Sequence, residues 1–412
     1  MRITVNSPDG VGDLIMRMPL LQTLLADGHD LQLLVRSSTG EFAQGVFPES
    51  EVHVFTEDPY NQELKKRNHP FRADFSAVRR FKPDLYVAGT FFLNFFDEEL
   101  IIRGGNFVPM AGFEAQDDRW GSNTILDPFE LARRFAIRIP VPAAMPEADK
   151  YQRMANALAG RAVSLKPPRQ PPAEMMDIAD DLMARKGLQR DGFHVACVGG
   201  RHGLRMKDWG ERNWAEFFSE AATTSKKPIV FLGNREESAS VERIRAALPP
   251  GARHISLAAE PPPILVSYAL VARSAGYLGR DGGVMHMAAA TGRPLLALFS
   301  GVHWPRFVPK SPGGLIVSVQ SPCRGCNRQC PFPEPYCITR IPVEGVVQEW
   351  RQWEGAQRAK VVEFTPDGTF TEALAGIDAV STSWERQLEQ RRRWQAEKAS
   401  SWWRTISSLF RQ

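Results

Sequence analysis

Short apolar runs of strand length alternate with longer amphipathic stretches along most of this 412-residue chain. Such an alternation is typical of parallel strands joined by crossover helices. A stretch with four prolines in eleven positions, SLKPPRQPPAE at 164–174, interrupts it and excludes a helix or a central strand there. With 43% hydrophobic residues, the chain can bury two cores of ordinary size. The sequence therefore predicts two doubly wound α/β domains, joined by this linker, with a cleft between them.

Glycine-rich or polar loops follow most of the predicted strands. The strands are predicted at RITVN, LQLLVR, EVHVF, DLYVAG and NFVPMAG before the linker, and at HVACVGG, PIVFLGN, HISLA, AGYLGRDGG, LLALFSG and LIVSV after it. Helices are predicted at 13–26, 71–81 and 128–135 in the first half. Ligands of open parallel sheets bind beyond the carboxyl ends of the strands. The loops at these ends are therefore expected to line the cleft.

Composition narrows the class of protein further. No segment has the roughly 18 consecutive apolar residues that a membrane span needs, and no signal peptide precedes the first strand, so we expect a cytoplasmic protein. The net charge of +4 lies entirely in residues 384–412, where seven basic and three acidic side chains occur. The rest of the chain is neutral, which predicts no nucleic-acid partner.

The stretch DGVGDLIMRMPLL, residues 9–21, places two glycines and two aspartates directly before an apolar helical pattern. We interpret Asp9 as a helix cap and the glycines as a tight turn. From these residues alone, Asp13 is a carboxylate favoured by the positive end of a helix. A chemical role for Asp13 needs support from the rest of the sequence.

The order of the motifs gives that support, because it resembles glycosyltransferase family 9, the ADP-heptose lipopolysaccharide heptosyltransferases and their relatives. GVGDLIMRMPLL is followed by RMKDWGERNW, VFLGNREE, LGRDGGVMHMAAATGRPLLALFSG and a late cysteine cluster, within residues 1–345. The resemblance implies the GT-B architecture of two Rossmann-like domains with parallel sheets that face a central cleft. It implies an acceptor domain at 1–170, a nucleotide-sugar donor domain at 171–345 and a helical extension at 346–412.

The resemblance also implies inverting sugar transfer without a catalytic metal. Asp13 would be the general base that takes the proton from the acceptor hydroxyl. Lys207 would contact the donor phosphates and stabilise the leaving diphosphate, with Arg201 and Arg205 in the same loop. The alternative for these three cations is a solvated basic loop.

A glycine turn in the second half matches the donor motif of the family. Asp281 and Gly283 match its Asp-Ser/Thr-Gly sequence, and His286 matches the histidine that follows. Gly282 stands where the family usually carries a hydroxyl, so one side-chain donor to phosphate is missing. Backbone N–H groups at the start of the following helix are expected to bind the diphosphate. The alternative for His286 is a histidine packed against the sheet.

Donor and acceptor follow from the same resemblance. The expected donor is ADP-heptose, and the expected acceptor is a lipopolysaccharide core or a related glycan. Glu236 and Glu237 lie where family members meet the nucleoside or sugar; the sequence does not choose between them, and Glu236 is taken as the candidate. The alternatives are a GT-B sugar-nucleotide epimerase, an O-heptosyltransferase that acts on a protein, and a non-catalytic membrane-associated scaffold.

Four of the five cysteines, Cys323, Cys326, Cys330 and Cys337, form a C-x2-C-x3-C-x6-C cluster within 15 residues. In a reducing compartment such a cluster favours a structural zinc or iron ion over free thiols or disulfides. Related autotransporter heptosyltransferases carry a cysteine-bound iron. Four protein ligands would leave no open position for catalysis. Cys197 lies inside a predicted strand and is interpreted as a core residue.

The last residues of the chain have a helical pattern of their own. Aromatic and aliphatic side chains recur at helical spacing, while arginines and serines fill the other face. The apolar residues are Trp402, Trp403, Ile406, Leu409 and Phe410. Such a basic amphipathic segment predicts peripheral attachment to the cytoplasmic face of the inner membrane. The alternative is a helix docked on this protein or on a partner subunit.

Overall fold

The computed structural model describes most of the chain. The described residues are 1–55, 75–94, 96–97, 100, 108–116, 134–199, 205–326, 330, 332–356 and 358–375. Several predicted features lie partly outside these residues, among them the helices predicted at 71–81 and 128–135, and the tail at 384–412 lies wholly outside them.

The first half of the described chain forms a parallel sheet of six strands. They are β1 (Arg2–Ser7), β2 (Asp30–Arg36), β3 (Glu51–Phe55), β4 (Leu85–Ala88), β5 (Met110–Ala115) and β6 (Ile137–Val141). Their order across the sheet is β3-β2-β1-β4-β5-β6. Ile3 is paired with Leu31 on one side of β1 and with Leu85 on the other. Because β1 and β4 are neighbours, the strand order reverses between them.

The second half repeats this arrangement with seven strands in the described residues. They are β7 (His194–Cys197), β8 (Ile229–Phe231), β9 (His254–Ser256), β10 (Gly276–Arg280), β11 (Leu295–Leu298), β12 (Gly314–Val319) and β13 (Lys360–Phe364). All pairs are parallel, in the order β13-β12-β11-β10-β7-β8-β9. The order here reverses between β7 and β10. In open α/β sheets this switch point is where ligands bind.

Helices connect the strands and cover the sheets. In the first half, the helices with described bounds are α1 (Val11–Ala26), α2 (Ser37–Val46), α3 (Ser76–Phe81) and α4 (Glu147–Ala159). In the second half they are α5 (Ala173–Arg185), α6 (Glu211–Ser225), α7 (Ser238–Ala246), α8 (Ile264–Arg273), α9 (Gly283–Ala290), α10 (Tyr336–Thr339), α11 (Val343–Ala356) and α12 (Gly368–Ala375). The prediction of an α/β fold with two parallel sheets is confirmed.

Two strands were not predicted from the sequence. β6 carries Pro140 and alternates buried with exposed residues, which weakens its apolar signal. β13 is an edge strand whose Val361 is 54% exposed. It lies beyond residue 345, where the donor domain was predicted to end, and it pairs with β12 from Leu315 to Val319. The second sheet therefore extends further along the chain than the predicted boundary.

The two halves share apolar packing. One continuous cluster of buried side chains contains Ile3 and Leu14 of the first half and Met285 of the second. Across the contact, the rings of Phe42 and Tyr268 lie 5.5 Å apart. Each half thus buries part of its core against the other.

Candidate active site

The first turn of α1 lies against the first turn of α9, and Gly12 is at the contact. A β-carbon placed on Gly12 would lie 2.9 Å from Cδ2 of His286 and 3.3 Å from Cα of Gly283. A residue without a side chain allows the two turns to approach this closely. Asp13 is the next residue of α1, so the predicted base of the first half lies beside the predicted donor turn of the second half.

We expect Gly12→Ala to destabilise the protein, because the imidazole of His286 and the backbone of Gly283 must move to admit the methyl group. Overpacking of this kind costs about 1–3 kcal/mol. The measurement is the melting temperature. Gly368→Ala, at the start of α12, is the matched control, since the added carbon has no atom within 4 Å. Equal melting temperatures for the two variants would contradict the close contact.

Asp13 is a partly buried carboxylate whose pKa is strongly raised. Burial is the largest cause, and the negative charge of Asp9 adds to it, whereas Arg17 and Lys207 oppose the shift. The net effect raises the pKa of Asp13 from 3.8 to about 7. A general base works best when its pKa lies near the working pH. The environment of Asp13 therefore suits proton abstraction at neutral pH.

Lys207, which is partly buried, forms an ion pair with the buried Asp281 in the second half. Lys207 lies in the 3-10 turn Arg205–Lys207, and its Nζ is 2.5 Å from Oδ2 of Asp281. Burial raises the pKa of Asp281, but attraction to Lys207 and His286 outweighs it, so the pKa is lowered. Burial lowers the pKa of His286 to about 4, which leaves its imidazole neutral at pH 7. The ionised Asp281 holds the ammonium group beside the start of α9.

The turn between β10 and α9 presents backbone donors to the same space. Gly282 is the N-cap of α9, with extended backbone at φ 179° and ψ −178°, and no side chain caps the helix. The first N–H groups of a helix lack partners within the helix and favour anions. Lys207 and the start of α9 are therefore suited to bind a diphosphate.

We expect Gly282→Ser to strengthen the binding of ADP. The extended backbone accepts any residue, and a β-carbon at Gly282 has no atom within 4 Å, so the serine fits without strain. One added hydrogen bond to a charged group corresponds to about tenfold in affinity. Calorimetric titration with ADP measures the change, and Gly368→Ser serves as the control. Unchanged or weaker binding would contradict a diphosphate at this turn.

The other residues predicted to bind the sugar donor differ in their location and in their exposure. Arg205 is exposed in the same 3-10 turn as Lys207, and Arg201 lies outside the described residues. Glu236 is also exposed. Its neighbour Glu237 is buried. The carboxylate of Glu237 accepts a hydrogen bond from the backbone N–H of Asn234, and the backbone N–H of Glu237 donates to the side-chain oxygen of Asn234. The buried glutamate thus closes a capping box, which the sequence spacing did not distinguish from ligand binding.

Arg17 is a functional candidate that the sequence reasoning missed. It is fully buried in α1, one turn after Asp13. Its guanidinium donates to the carbonyl of Gly89 at 3.0 Å, to the hydroxyl of Tyr151 at 2.9 Å, and to Ser7 Oγ. The signal in the sequence is a single cation inside the apolar run LIMRMPLL.

The interpretation of Asp9 as a helix cap is wrong. Gly10 is the N-cap of α1, and no side chain caps the helix there. Asp9 instead forms an ion pair with Arg17, with its Oδ2 3.2 Å from Nη2. Its carboxylate is only 21% exposed. Asp9 therefore belongs to the polar network of the buried Arg17.

A second charged cluster joins the two halves. Glu147 accepts hydrogen bonds from Lys150 Nζ at 2.7 Å and from Arg306 Nε at 2.9 Å. Burial raises the pKa of Glu147, but Arg306 and Lys150 outweigh it and lower the pKa. The guanidinium of Arg306 lies 5.3 Å from the ring centre of Phe91. Because Arg306 belongs to the second half, this cluster fixes the two halves relative to each other.

The four clustered cysteines line one small cavity, together with Met206 and Gly301. The backbone N–H of Gly301 donates to Sγ of Cys337 at 3.2 Å, and burial raises the pKa of Cys337 to about 12. Within the described residues, no group of three or more histidine, cysteine or acidic side chains is arranged to hold a metal ion. Cys197 is buried in β7, where burial raises the pKa of its thiol to about 11.

No helix in the described part of the chain is long and apolar enough to cross a membrane. The amphipathic tail lies outside the described residues. Membrane attachment through it therefore stays a prediction.

Two parallel sheets with matching strand order are the GT-B architecture, and solved structures share this fold. The Escherichia coli ADP-heptose lipopolysaccharide heptosyltransferase II matches with a TM-score of 0.58 and 18% identity, over 87% of this chain and 100% of that one. A family 9 glycosyltransferase from Veillonella parvula matches with a TM-score of 0.62 and 14% identity, over 86% of this chain and 97% of that one. The E. coli heptosyltransferase WaaC with ADP matches with a TM-score of 0.56 and 15% identity, over 86% of this chain and 99% of that one.

The sequence itself identifies the family. A model of glycosyltransferase family 9 (heptosyltransferase) matches residues 119–335, which is more than half of the chain. This chain belongs to glycosyltransferase family 9 and is a glycosyltransferase. A search of curated protein sequences found no match.

Proposed function

We propose that this enzyme transfers heptose from ADP-heptose to a hydroxyl group of a lipopolysaccharide core or a related glycan, with inversion at the anomeric carbon. The observation that carries the proposal is the contact at Gly12, which brings Asp13 beside the turn that starts α9. A base for the acceptor would then lie beside a binding site for the leaving group, at the contact between the two halves. The solved heptosyltransferases of the same fold support the choice of donor.

In the proposed mechanism Asp13 accepts the proton of the acceptor hydroxyl. The hydroxyl oxygen forms a bond to the anomeric carbon while the bond from that carbon to the diphosphate oxygen breaks. ADP leaves with the electron pair, and the proton stays on Asp13. Attack from the side opposite the leaving group inverts the configuration.

Lys207 and the start of α9 would stabilise the departing ADP. Negative charge grows on the diphosphate oxygen as the bond breaks, so a fixed ammonium stabilises the transition state more than the bound donor. Asp281 would hold that ammonium in place through the 2.5 Å ion pair. Arg201, Arg205, Glu236 and His286 are proposed to bind other parts of the donor.

The pH dependence follows from the raised pKa of Asp13. Below about pH 7 the carboxyl is protonated and cannot accept a proton, so kcat/KM is expected to fall about tenfold per pH unit below 7. Above this pH the base is ionised and the rate reaches a plateau. Initial rates across a buffer series measure the profile. An acid limb centred near pH 4 would indicate a base without this environment.

Product analysis tests the proposed function directly. Purified enzyme is incubated with ADP-heptose and a heptose-deficient lipopolysaccharide core, and the products are separated by mass. Sugar attached to the core together with ADP supports the proposal. An altered sugar nucleotide without transfer would indicate an epimerase, transfer to a protein would indicate an O-heptosyltransferase, and neither product would overturn the proposal for this donor and acceptor.

We also propose a structural zinc or iron ion at the four cysteines. The shared cavity and the N–H donor to Cys337 support it, because such donors stabilise metal-bound thiolates. The sulfur atoms must converge when the ion binds. Metal analysis of the purified protein is expected to give one equivalent, lost in Cys323→Ser/Cys337→Ser and retained in Cys197→Ser. A metal-free wild type would overturn this proposal.

Peripheral membrane contact through residues 384–412 is proposed from the sequence pattern alone. The basic and aromatic side chains of this segment favour anionic lipid. We expect the full chain to float with phosphatidylglycerol vesicles and a chain ending at 383 to stay behind. Equal flotation of both proteins would contradict the proposal.

A further inference from the structure

Asp9, Asp13 and Arg17 form a cluster at the start of α1. A β-carbon on Gly10 would lie 3.7 Å from Oδ2 of Asp13, so this carboxylate lies over the residue that follows Asp9. Arg17 is one helical turn further along the same face. Its Nη2 is 3.2 Å from Oδ2 of Asp9. Two partly buried carboxylates and one fully buried guanidinium therefore lie together at the start of α1.

The structure holds this guanidinium from several directions. Gly89 follows β4 and Ser7 ends β1, and both accept hydrogen bonds from Arg17. Tyr151 reaches the same group from α4, at 2.9 Å, although 134 residues separate it from Arg17 in the sequence. The guanidinium carries five N–H donors in a rigid planar fork, so it can satisfy all of these acceptors at once. Arg17 is therefore fixed in one position.

We propose that Arg17 and Asp9 are positioning residues for the base: Arg17 anchors the Asp9 carboxylate beside Asp13, and the pair controls the basicity of Asp13. This inference rests on the proposed role of Asp13 in sugar transfer. Asp9 opposes the ionisation of Asp13 because like charges repel at short distance. Arg17 limits this effect, since its positive charge favours both carboxylates.

Other charged and titratable groups also face Asp13. They are Glu147 and Tyr151 from α4 and Lys207 from the 3-10 turn. His286 from α9 lies beside Gly12, the residue before Asp13. Glu147 adds negative charge and Lys207 adds positive charge, and both residues are kept in the variants at Asp9 and Arg17. The contribution of the pair can therefore be measured against a constant background.

The test is a direct titration of Asp13 by carbon-13 NMR of side-chain carboxyl groups, without donor or acceptor. Asp13→Asn assigns the signal. Asp9→Asn is expected to lower the midpoint by about one pH unit, because a neighbouring negative charge is lost. Arg17→Gln is expected to raise it. Asp9→Glu keeps the charge and is expected to stay near the wild type.

Asp27→Asn is the matched control, because Asp27 is exposed at the opposite end of α1 and its substitution is expected to leave the midpoint unchanged. A merely structural role would change the melting temperature of Asp9→Asn without moving the midpoint, and that result would overturn the proposal. Asp9→Asn tests the pair even where Arg17→Gln does not fold. If the midpoint of Asp13 shifts in Asp9→Asn but the wild type transfers no heptose, the role of Asp9 and Arg17 is supported and the proposed function is overturned.

Discussion

Asp13→Asn is expected to lower kcat by about 10²- to 10⁴-fold, the usual contribution of a general base. Asparagine has the same shape but cannot take the proton from the acceptor hydroxyl. Because the pKa of Asp13 is about 7 and its carboxyl group makes no hydrogen bond within the described residues, we expect its replacement to leave the fold intact. Transfer assays with ADP-heptose and a heptose-deficient core measure the loss.

Two measurements separate loss of the base from other effects. Calorimetric titration with ADP is expected to give the wild-type affinity for Asp13→Asn, since the base acts on the acceptor side. Asp27→Asn makes the same chemical change at the far end of α1 and is expected to keep full turnover. Full turnover by Asp13→Asn would show that another group takes the proton.

Lys207→Met is expected to lower kcat by about 10²- to 10³-fold and to weaken the binding of ADP. The methionine keeps the length of the side chain and removes the charge that stabilises the leaving diphosphate. The measurements are kcat with ADP-heptose and calorimetric titration with ADP. Lys186→Met, at an exposed lysine after α5, is the control and is expected to behave as the wild type.

Lys207→Met is also expected to lower the stability of the protein, because Asp281 is the buried partner of Lys207. Without the ammonium, Asp281 is a buried carboxylate that has lost its counter-charge, which costs about 3–5 kcal/mol. The double variant Lys207→Met/Asp281→Asn is expected to recover melting temperature but not kcat. Recovery of both would mean that Lys207 acts through stability alone.

The alternation of apolar runs was sufficient to predict the parallel sheets, because each central strand is buried on both faces and reads as a continuous apolar segment. β6 and β13 were not predicted, because neither has the continuous apolar sequence of a buried central strand. β6 is partly exposed and contains Pro140, and β13 is an edge strand. Only pairing with a neighbour identifies such segments as strands.

The candidate site was predictable where a strand end and a glycine turn coincide. The strand order brings the loops after β1 and β10 to the switch points of the two sheets. Partners that are distant in the sequence were not predictable. Tyr151 meets Arg17 across 134 residues, and Arg306 meets Glu147 across 159. A local sequence pattern does not predict such long-range contacts. It also does not show that Glu237 is buried and Glu236 exposed, since this difference arises only in the folded protein.

The apolar cluster that runs through both sheets limits how the molecule could be divided. A chain cut at the proline-rich linker would leave the Phe42 side of one piece and the Tyr268 side of the other facing water. Neither fragment is then a self-sufficient module, and each is prone to aggregate. If relatives exchanged their second halves in evolution, the shape of this apolar contact would have to be conserved along with the chemistry of the site.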